Sequence, residues 1–317
     1  MAPAIHGVRL NPLGTGIQHT VAEPGPPVRR TCPAHRESGD QETAINPTSS
    51  PTRTALVGGG GSGIGYASAE RLLRAGHRVV ITGRRQDALA GAAARLRTGS
   101  AGADLGSAGF GGTVEALVGD MGEPAAAAAV VDGVEARHGS LDVLVLNASG
   151  PPPGRVLEVD EKQWHDGLDL LLLGPLALAR AALPRMAARG FGRVVFITST
   201  AVRQPQPDLA LSVVLRSAAT AAAKLLAREF AGQGVTVNCV APGATATERR
   251  RQILEARARS TGTGVGEVDA EDAAGIPAGR AAAPQEIGAA VAFLASAEAS
   301  YVNGTVLTVD GGRTETV

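Results

Sequence analysis

From residue 53 onward, apolar and polar positions fall into two patterns that alternate along the chain. Short, nearly continuous apolar runs occur at 53–57, 78–82, 113–118, 141–146, 193–198, 235–240 and 305–309. Runs of this length bounded by glycine or polar residues read as strands buried on both faces. Between them, apolar residues recur at helical spacing over 63–74, 86–97, 124–138, 161–189, 209–230 and 284–296. Gly174-Pro175 is expected to kink the helix over 161–189. In the helix over 209–230, Leu211, Leu215, Ala218, Ala222, Leu225 and Leu226 fall on one side and predict its buried face. Strand alternating with helix predicts an α/β domain, a parallel sheet of seven strands wound on both faces. Ligands of such folds bind beyond the carboxyl ends of the strands.

Two stretches depart from this rhythm. Residues 1–52 hold many prolines and no sustained apolar period, which predicts a disordered N-terminal extension ahead of one domain over 53–317. Residues 248–283 are polar, helical in part and interrupted by glycines, the pattern of a mobile substrate lid. A glycine- and serine-rich loop is expected over 98–112.

Composition narrows the choice of partner. The 317 residues carry 30 basic and 30 acidic side chains, so nothing favours nucleic acid or an anionic membrane surface. No continuous apolar run approaches the ~20 residues of a membrane span, and the N-terminus lacks the apolar core of a secretory signal. A cytoplasmic protein acting on a small molecule is expected. The two cysteines, Cys32 and Cys239, lie in the extension and in an apolar strand, which argues against a disulfide. His6, His19 and His35 have no metal-ligand spacing.

The candidate chemistry sits where strands end. Gly59, Ser62, Gly63, Ile64 and Gly65 form a glycine turn between the first strand and its helix. Such a turn gathers backbone N–H groups and the positive end of a helix dipole, both of which attract phosphate; a glycine-rich surface turn has the same composition. At the end of the second strand, where a dinucleotide fold places an acid on the adenosine ribose, stands Gly83, followed by Arg84 and Arg85. The guanidinium fork suits a 2′-phosphate, which favours NADP(H) over NAD(H), although solvated arginines at a helix start look the same in sequence. Asp120-Met121, Asn147-Ala148, Ser199 and Pro242-Gly243 lie at later strand ends.

With these residues in order, the chain resembles the short-chain dehydrogenase/reductase family over about residues 53–312. Gly59-xxx-Gly63-x-Gly65 resembles its glycine motif, with Gly58 in place of a threonine; Asp120, the turn Asn147-Ala148-Ser149-Gly150, Pro242-Gly243-xxx-Thr247 and the closing segment Tyr301 to Gly312 match further motifs. The resemblance implies a three-layer Rossmann fold, adenine contact by Asp120, a nicotinamide site near Pro242–Thr247, and a homotetramer or homodimer.

The family acts through Asn, Ser, Tyr and Lys. Ser199 fits the serine; counting on by the family's spacing places Ser212 at the tyrosine position and Arg216 at the lysine position, and Leu171 falls at the asparagine position. A serine hydroxyl is a far weaker acid than a phenol, and a guanidinium stays protonated. Ser212 and Arg216 lie four apart, on one helix face beside the leucine stripe. Lys224 is read as a solvated helix residue, and Asp208 as a candidate N-cap for the helix over 209–230. The resemblance thus implies hydride transfer between NADP(H) and a carbonyl or alcohol through a divergent site comprising Ser199, Ser212 and Arg216. The alternatives are a non-catalytic NADP(H)-binding sensor or assembly subunit, and a scaffold without cofactor.

Overall fold

The computed structural model describes residues 52–99 and 112–316. The expected N-terminal extension apart from its last residue, most of the glycine–serine loop, Cys32 and the three histidines before residue 36 lie outside the described residues.

Seven strands, β1 (Thr54–Gly58), β2 (Arg78–Gly83), β3 (Val114–Val118), β4 (Val143–Leu146), β5 (Gly192–Ile197), β6 (Val235–Pro242) and β7 (Val306–Val309), form one sheet in the order β3-β2-β1-β4-β5-β6-β7. Every pairing is parallel. The chain winds outward from β1 to one edge and returns to pair β4 with β1, so the winding direction reverses between these two strands. The crevice above that reversal is where ligands of doubly wound sheets bind.

Successive residues of a strand face opposite sides, and the two helical layers divide accordingly. Leu56, Val80, Leu144 and Val194 point to the layer built from α3 (Ala127–His138), α5 (Gly174–Ala188) and α6 (Ala210–Phe230). Ala55, Val57, Ile81 and Val145 point to the opposite layer, built from α1 (Gly63–Arg74), α2 (Gln86–Arg97) and α9 (Pro284–Ala295). α1 and α9 cross at Gly288, where a Cβ would lie 2.6 Å from the Ala67 carbonyl oxygen; glycine lets the helices close.

Three local expectations are corrected, and a fourth segment gains detail. The helix expected over 161–189 is α4 (Glu161–Leu168), a π-helical turn (Asp169–Leu173) and then α5. The widened turn precedes Gly174-Pro175, and Gly174 is glycine because its backbone rests on Met121, whose carbonyl oxygen would be 1.9 Å from a Cβ. The buried face of α6 runs Leu211, Leu215, Ala219, Ala223, Ala227; Leu225 is 62% exposed. Alanine is compatible with either environment, so the stripe 218–222–225 and the stripe 219–223–227 read alike until the sheet is present. Asp208 does not cap α6, whose first residue follows Leu209 with no side-chain cap; the carboxylate instead meets Arg257 at 3.3 Å. The segment over 248–283 contains two helices, α7 (Glu248–Thr261) and α8 (Val265–Ala274), packed through Leu254, Ala258 and Val268.

By length and mean hydropathy, Glu161–Ala188 and Ala210–Gln233 are long and apolar enough to cross a membrane. Here Leu178, Leu183 and Ala223 from these stretches pack on the sheet, which accounts for their apolar composition.

Candidate active site

A cleft of about 850 Å³ opens above the carboxyl ends of the strands. Its first wall is the glycine turn after β1. Gly59 (φ 62°) and Gly63 (φ 56°) take left-handed backbone conformations that other residues resist. Ser62 caps α1 only by position, with no side-chain hydrogen bond, and among the described residues the N–H groups of Gly63 and Ile64 donate to no backbone carbonyl. These free donors, with the helix dipole behind them, suit a diphosphate. Gly65 does not line the cleft; a Cβ there would lie 2.3 Å from the Gly59 carbonyl oxygen, so Gly65 lets the helix close on the turn. Gly58 is equally constrained: a Cβ would meet the Asn147 carbonyl oxygen at 2.7 Å and Met121 Cε at 2.8 Å.

Asn147 follows β4, and its Nδ2 donates to the Gly58 carbonyl at 2.9 Å, tying the two strands that flank the crevice. Ala148 lines the cleft beside it. At the end of β2, Gly83 faces the cleft with exposed Arg84 and Arg85 after it. A Cβ on Gly83 would meet only the Leu89 side chain, at ordinary contact distances from 3.6 Å, so no steric demand keeps an acid away. Asp120 and Met121 line the cleft beyond β3, and Asp120 Oδ1 accepts from the Gly122 N–H at 2.9 Å. On the other side, Pro242, Gly243 and Thr247 follow β6. Thr247 caps α7 by accepting from the Arg250 N–H, and its methyl group approaches the glycine turn.

Ser199, Ser212 and Arg216 share this cleft. Ser199 Oγ accepts from the Ala201 N–H at 3.1 Å, which fixes the turn after β5. Arg216, buried on α6, donates through Nε to Ser212 Oγ at 3.2 Å and through Nη1 to the Ile197 carbonyl. Burial, and secondarily the charge of Arg249, pull its guanidinium down to about 10, so it remains a cation at neutral pH. Leu171 lies with Leu211 and Leu215 in an apolar cluster and offers no polar group. Lys224 is exposed and donates to the Gly304 carbonyl at 2.9 Å, remote from this cleft's lining. Tyr66 lines the cleft with Arg95 5.3 Å from its ring centroid, burial raising its phenol above the usual range, while Tyr301 is fully exposed.

Sequence reasoning missed the arginines of the segment over 248–283. Arg249, Arg250 and Arg257 project into the cleft from α7, joined by Asp272 and Arg313. Asp272 meets Arg250 at 2.6 Å and Arg313 at 2.9 Å. Burial pulls its carboxyl up, but hydrogen bonds from Arg313 and Arg250 outweigh that and hold it below the usual range. One signal was available. Arg249, Arg250 and Arg251 crowd the first turn of α7, where positive charge opposes the helix dipole.

A family model described as Enoyl-(Acyl carrier protein) reductase matches residues 59–314. Dehydrogenase/reductase SDR family member 4 of Bos taurus is 33% identical over 261 residues, covering 82% of this chain and 86% of the relative. The chain belongs to the short-chain dehydrogenase/reductase family. The 3-oxoacyl-[acyl-carrier-protein] reductase FabG of Salmonella typhimurium is 32% identical over 260 residues, covering 82% of this chain and 96% of that protein. L-sorbose reductase from Gluconobacter frateurii, solved with NADPH and L-sorbose, superposes with a TM-score of 0.76 at 29% identity, over 84% of this chain and 98% of its own. Family membership makes this chain an oxidoreductase of hydride-transfer chemistry acting on a small molecule, and favours that reading over a sensor. The fold expected from the resemblance is the fold found.

Proposed function

We propose that this protein is an NADP(H)-dependent reductase of carbonyl compounds. The observation that carries the cofactor assignment is the rim of β2: Arg84 and Arg85 stand exposed on the cleft and Gly83 holds the place of an acid, in a position with room for one. A 2′-phosphate finds two guanidiniums and no repelling carboxylate there.

The chain's own residues divide the remaining work. The glycine turn receives the diphosphate on the N–H groups of α1. Asp120 and Met121 flank the adenine, and Asn147, Ala148, Pro242, Gly243 and Thr247 border the nicotinamide half. When bound, the cofactor supplies the hydride. Ser199 and Ser212 hold the carbonyl oxygen by hydrogen bonds, and Arg216 stabilises the negative charge that develops on it. The proton is delivered by water through the Ser212 hydroxyl, because neither serine nor the buried guanidinium is a net acid at neutral pH. Slow turnover follows from that substitution. Residues 53–317 form the catalytic domain, the segment over 248–283 its lid, and the enzyme works in the cytoplasm as a homodimer or homotetramer.

Titration of the purified protein with NADPH and, beside it, NADH tests the assignment by cofactor fluorescence. Tighter binding of NADPH is the expected result; equal binding of both removes the cofactor preference, and binding of neither removes the redox reading.

A further inference from the structure

Apart from the exposed pair Arg84 and Arg85 on the β2 rim, two guanidiniums of the cleft, Arg216 and Arg249, lack an acidic partner among the described residues. Among the described residues, the other lid arginines meet carboxylates, Arg250 with Asp269 and Asp272, Arg251 with Glu248 and Glu255, Arg257 with Asp208, save for Arg259, which is exposed. Arg280, near the end of the lid, and Arg313, beyond it, meet Glu286 and Asp272. Arg249 instead turns inward, and its one recorded hydrogen bond goes to the Pro151 carbonyl. Arg216 bonds only to Ser212 and the Ile197 carbonyl. A guanidinium has five N–H donors, so both retain donors for a ligand. Arg216 is buried and Arg249 half-buried, and the two are close enough for Arg249 to disfavour the charge on Arg216.

A buried and a half-buried like charge without a counterion are costly, and the chain makes room for Arg249. Gly150, in the turn after β4, has no side chain; a Cβ there would lie 2.8 Å from Arg249 Nε. The Pro151 carbonyl then fixes the guanidinium against that turn. The start of α7 adds the positive end of its dipole beside Arg249. Leu254, Ile253 and Leu209 line the same cleft and lower the local dielectric, which strengthens a charge-assisted bond to an anion.

We propose that Arg249 is the specificity-determining residue of this cleft and takes the carboxylate of an oxo acid, whose neighbouring carbonyl oxygen lies on Arg216 and Ser212. The proposal rests on the reductase reading given above and names its substrate class: 2- or 3-oxo acids, short enough for one molecule to reach both guanidiniums. The step is a two-electron reduction. A hydride from the reduced nicotinamide forms the C–H bond at the carbonyl carbon, the C=O π pair moves to oxygen, and water supplies the proton, giving the hydroxy acid and oxidised cofactor. The carboxylate neutralises the repulsion between the two arginines before the alkoxide charge appears.

Matched pairs differing only in the charge test this. NADPH oxidation is measured with pyruvate against methyl pyruvate and acetoacetate against methyl acetoacetate, with dihydroxyacetone phosphate as the phosphate counterpart. The same compounds are titrated calorimetrically into the NADPH-loaded protein. At least one acid is expected to exceed its ester by about 100-fold in kcat/KM and in affinity, the worth of one charge-assisted hydrogen bond in a shielded site. Arg249→Ala is expected to abolish that ratio with NADPH affinity unchanged, and Arg249→Lys to restore part of it. Esters bound as well as both acids, or the phosphate preferred over both, overturn the assignment while leaving the reductase standing. A protein that fails to bind NADPH overturns the reductase reading and this one with it.

Discussion

Gly83→Asp gives the most discriminating perturbation of the cofactor site. The position has no left-handed backbone requirement, and a new Cβ meets only Leu89 side-chain atoms between 3.6 and 3.9 Å away. The backbone bond from the Gly119 N–H to the Gly83 carbonyl, 3.1 Å long, does not involve the side chain. The variant is therefore expected to fold, and its effect is electrostatic. A carboxylate about 5 Å from a phosphate, at an effective dielectric near 20, repels it by about 3 kcal/mol per unit charge. Arg84 and Arg85 are exposed on the same rim, so solvent screening reduces this to roughly 1.5 kcal/mol, about tenfold in Kd. With NADH the same carboxylate accepts from the ribose hydroxyls, a gain of about 1 kcal/mol. The ratio of NADPH to NADH affinity should fall by about 50-fold, read by fluorescence titration. An unchanged ratio, or equal loss of both, would refute the placement of the 2′-phosphate at this rim.

Other outcomes follow from the same geometry. Gly65→Ala puts a methyl group 2.3 Å from the Gly59 carbonyl oxygen, so the turn must shift, and NADPH affinity should drop by more than about tenfold despite Gly65 touching no ligand. Arg216→Ala should remove turnover and cost about 1–3 kcal/mol in denaturant unfolding, because the buried Ile197 carbonyl loses its partner; Lys224→Ala, exposed on the far stretch of α6, should leave turnover unchanged. Asp272 has a carboxyl held below its ordinary 3.8, so it stabilises the packing of α7 and α8 above that value and loses the contribution as pH falls through its folded value. Amide exchange in α7 and α8 should rise below about pH 4 before the sheet unfolds; Asp272→Asn should show that exchange at neutral pH, and protection of α7 and α8 that ignores pH would contradict the network.

The strands were legible because both faces of each are covered, which forces near-continuous apolar runs. Their ends were legible as a site because doubly wound topology brings strand ends together, so Gly59, Arg84, Asn147 and Ser199 needed no long-range information to be grouped. The face of α6 was not legible. In a helix rich in alanine the apolar stripe has no sharp edge, and only contact with β5 and β6 selects Ala219 over Ala218. The arginines of α7 were hidden for a different reason. Arg250 finds Asp272 and Arg249 finds Pro151 across 22 and 98 residues, pairings that no helical period encodes. Gly150 belonged to a recognisable turn, but its use as space for Arg249 emerges only once α7 folds over it.

The central claim is that hydride passes from this cofactor site to a substrate carbonyl even though serine and arginine stand on the helix where a tyrosine and lysine are expected. Incubation of the protein with NADPH deuterated at the transferable C4 position and a panel of oxo acids, their esters and simple ketones, followed by mass spectrometry of the alcohol products, tests it directly. One deuterium on the new carbinol carbon, absent with Arg216→Ala, is the result this account predicts. A product without label, or no product while NADPH binds tightly, would contradict it.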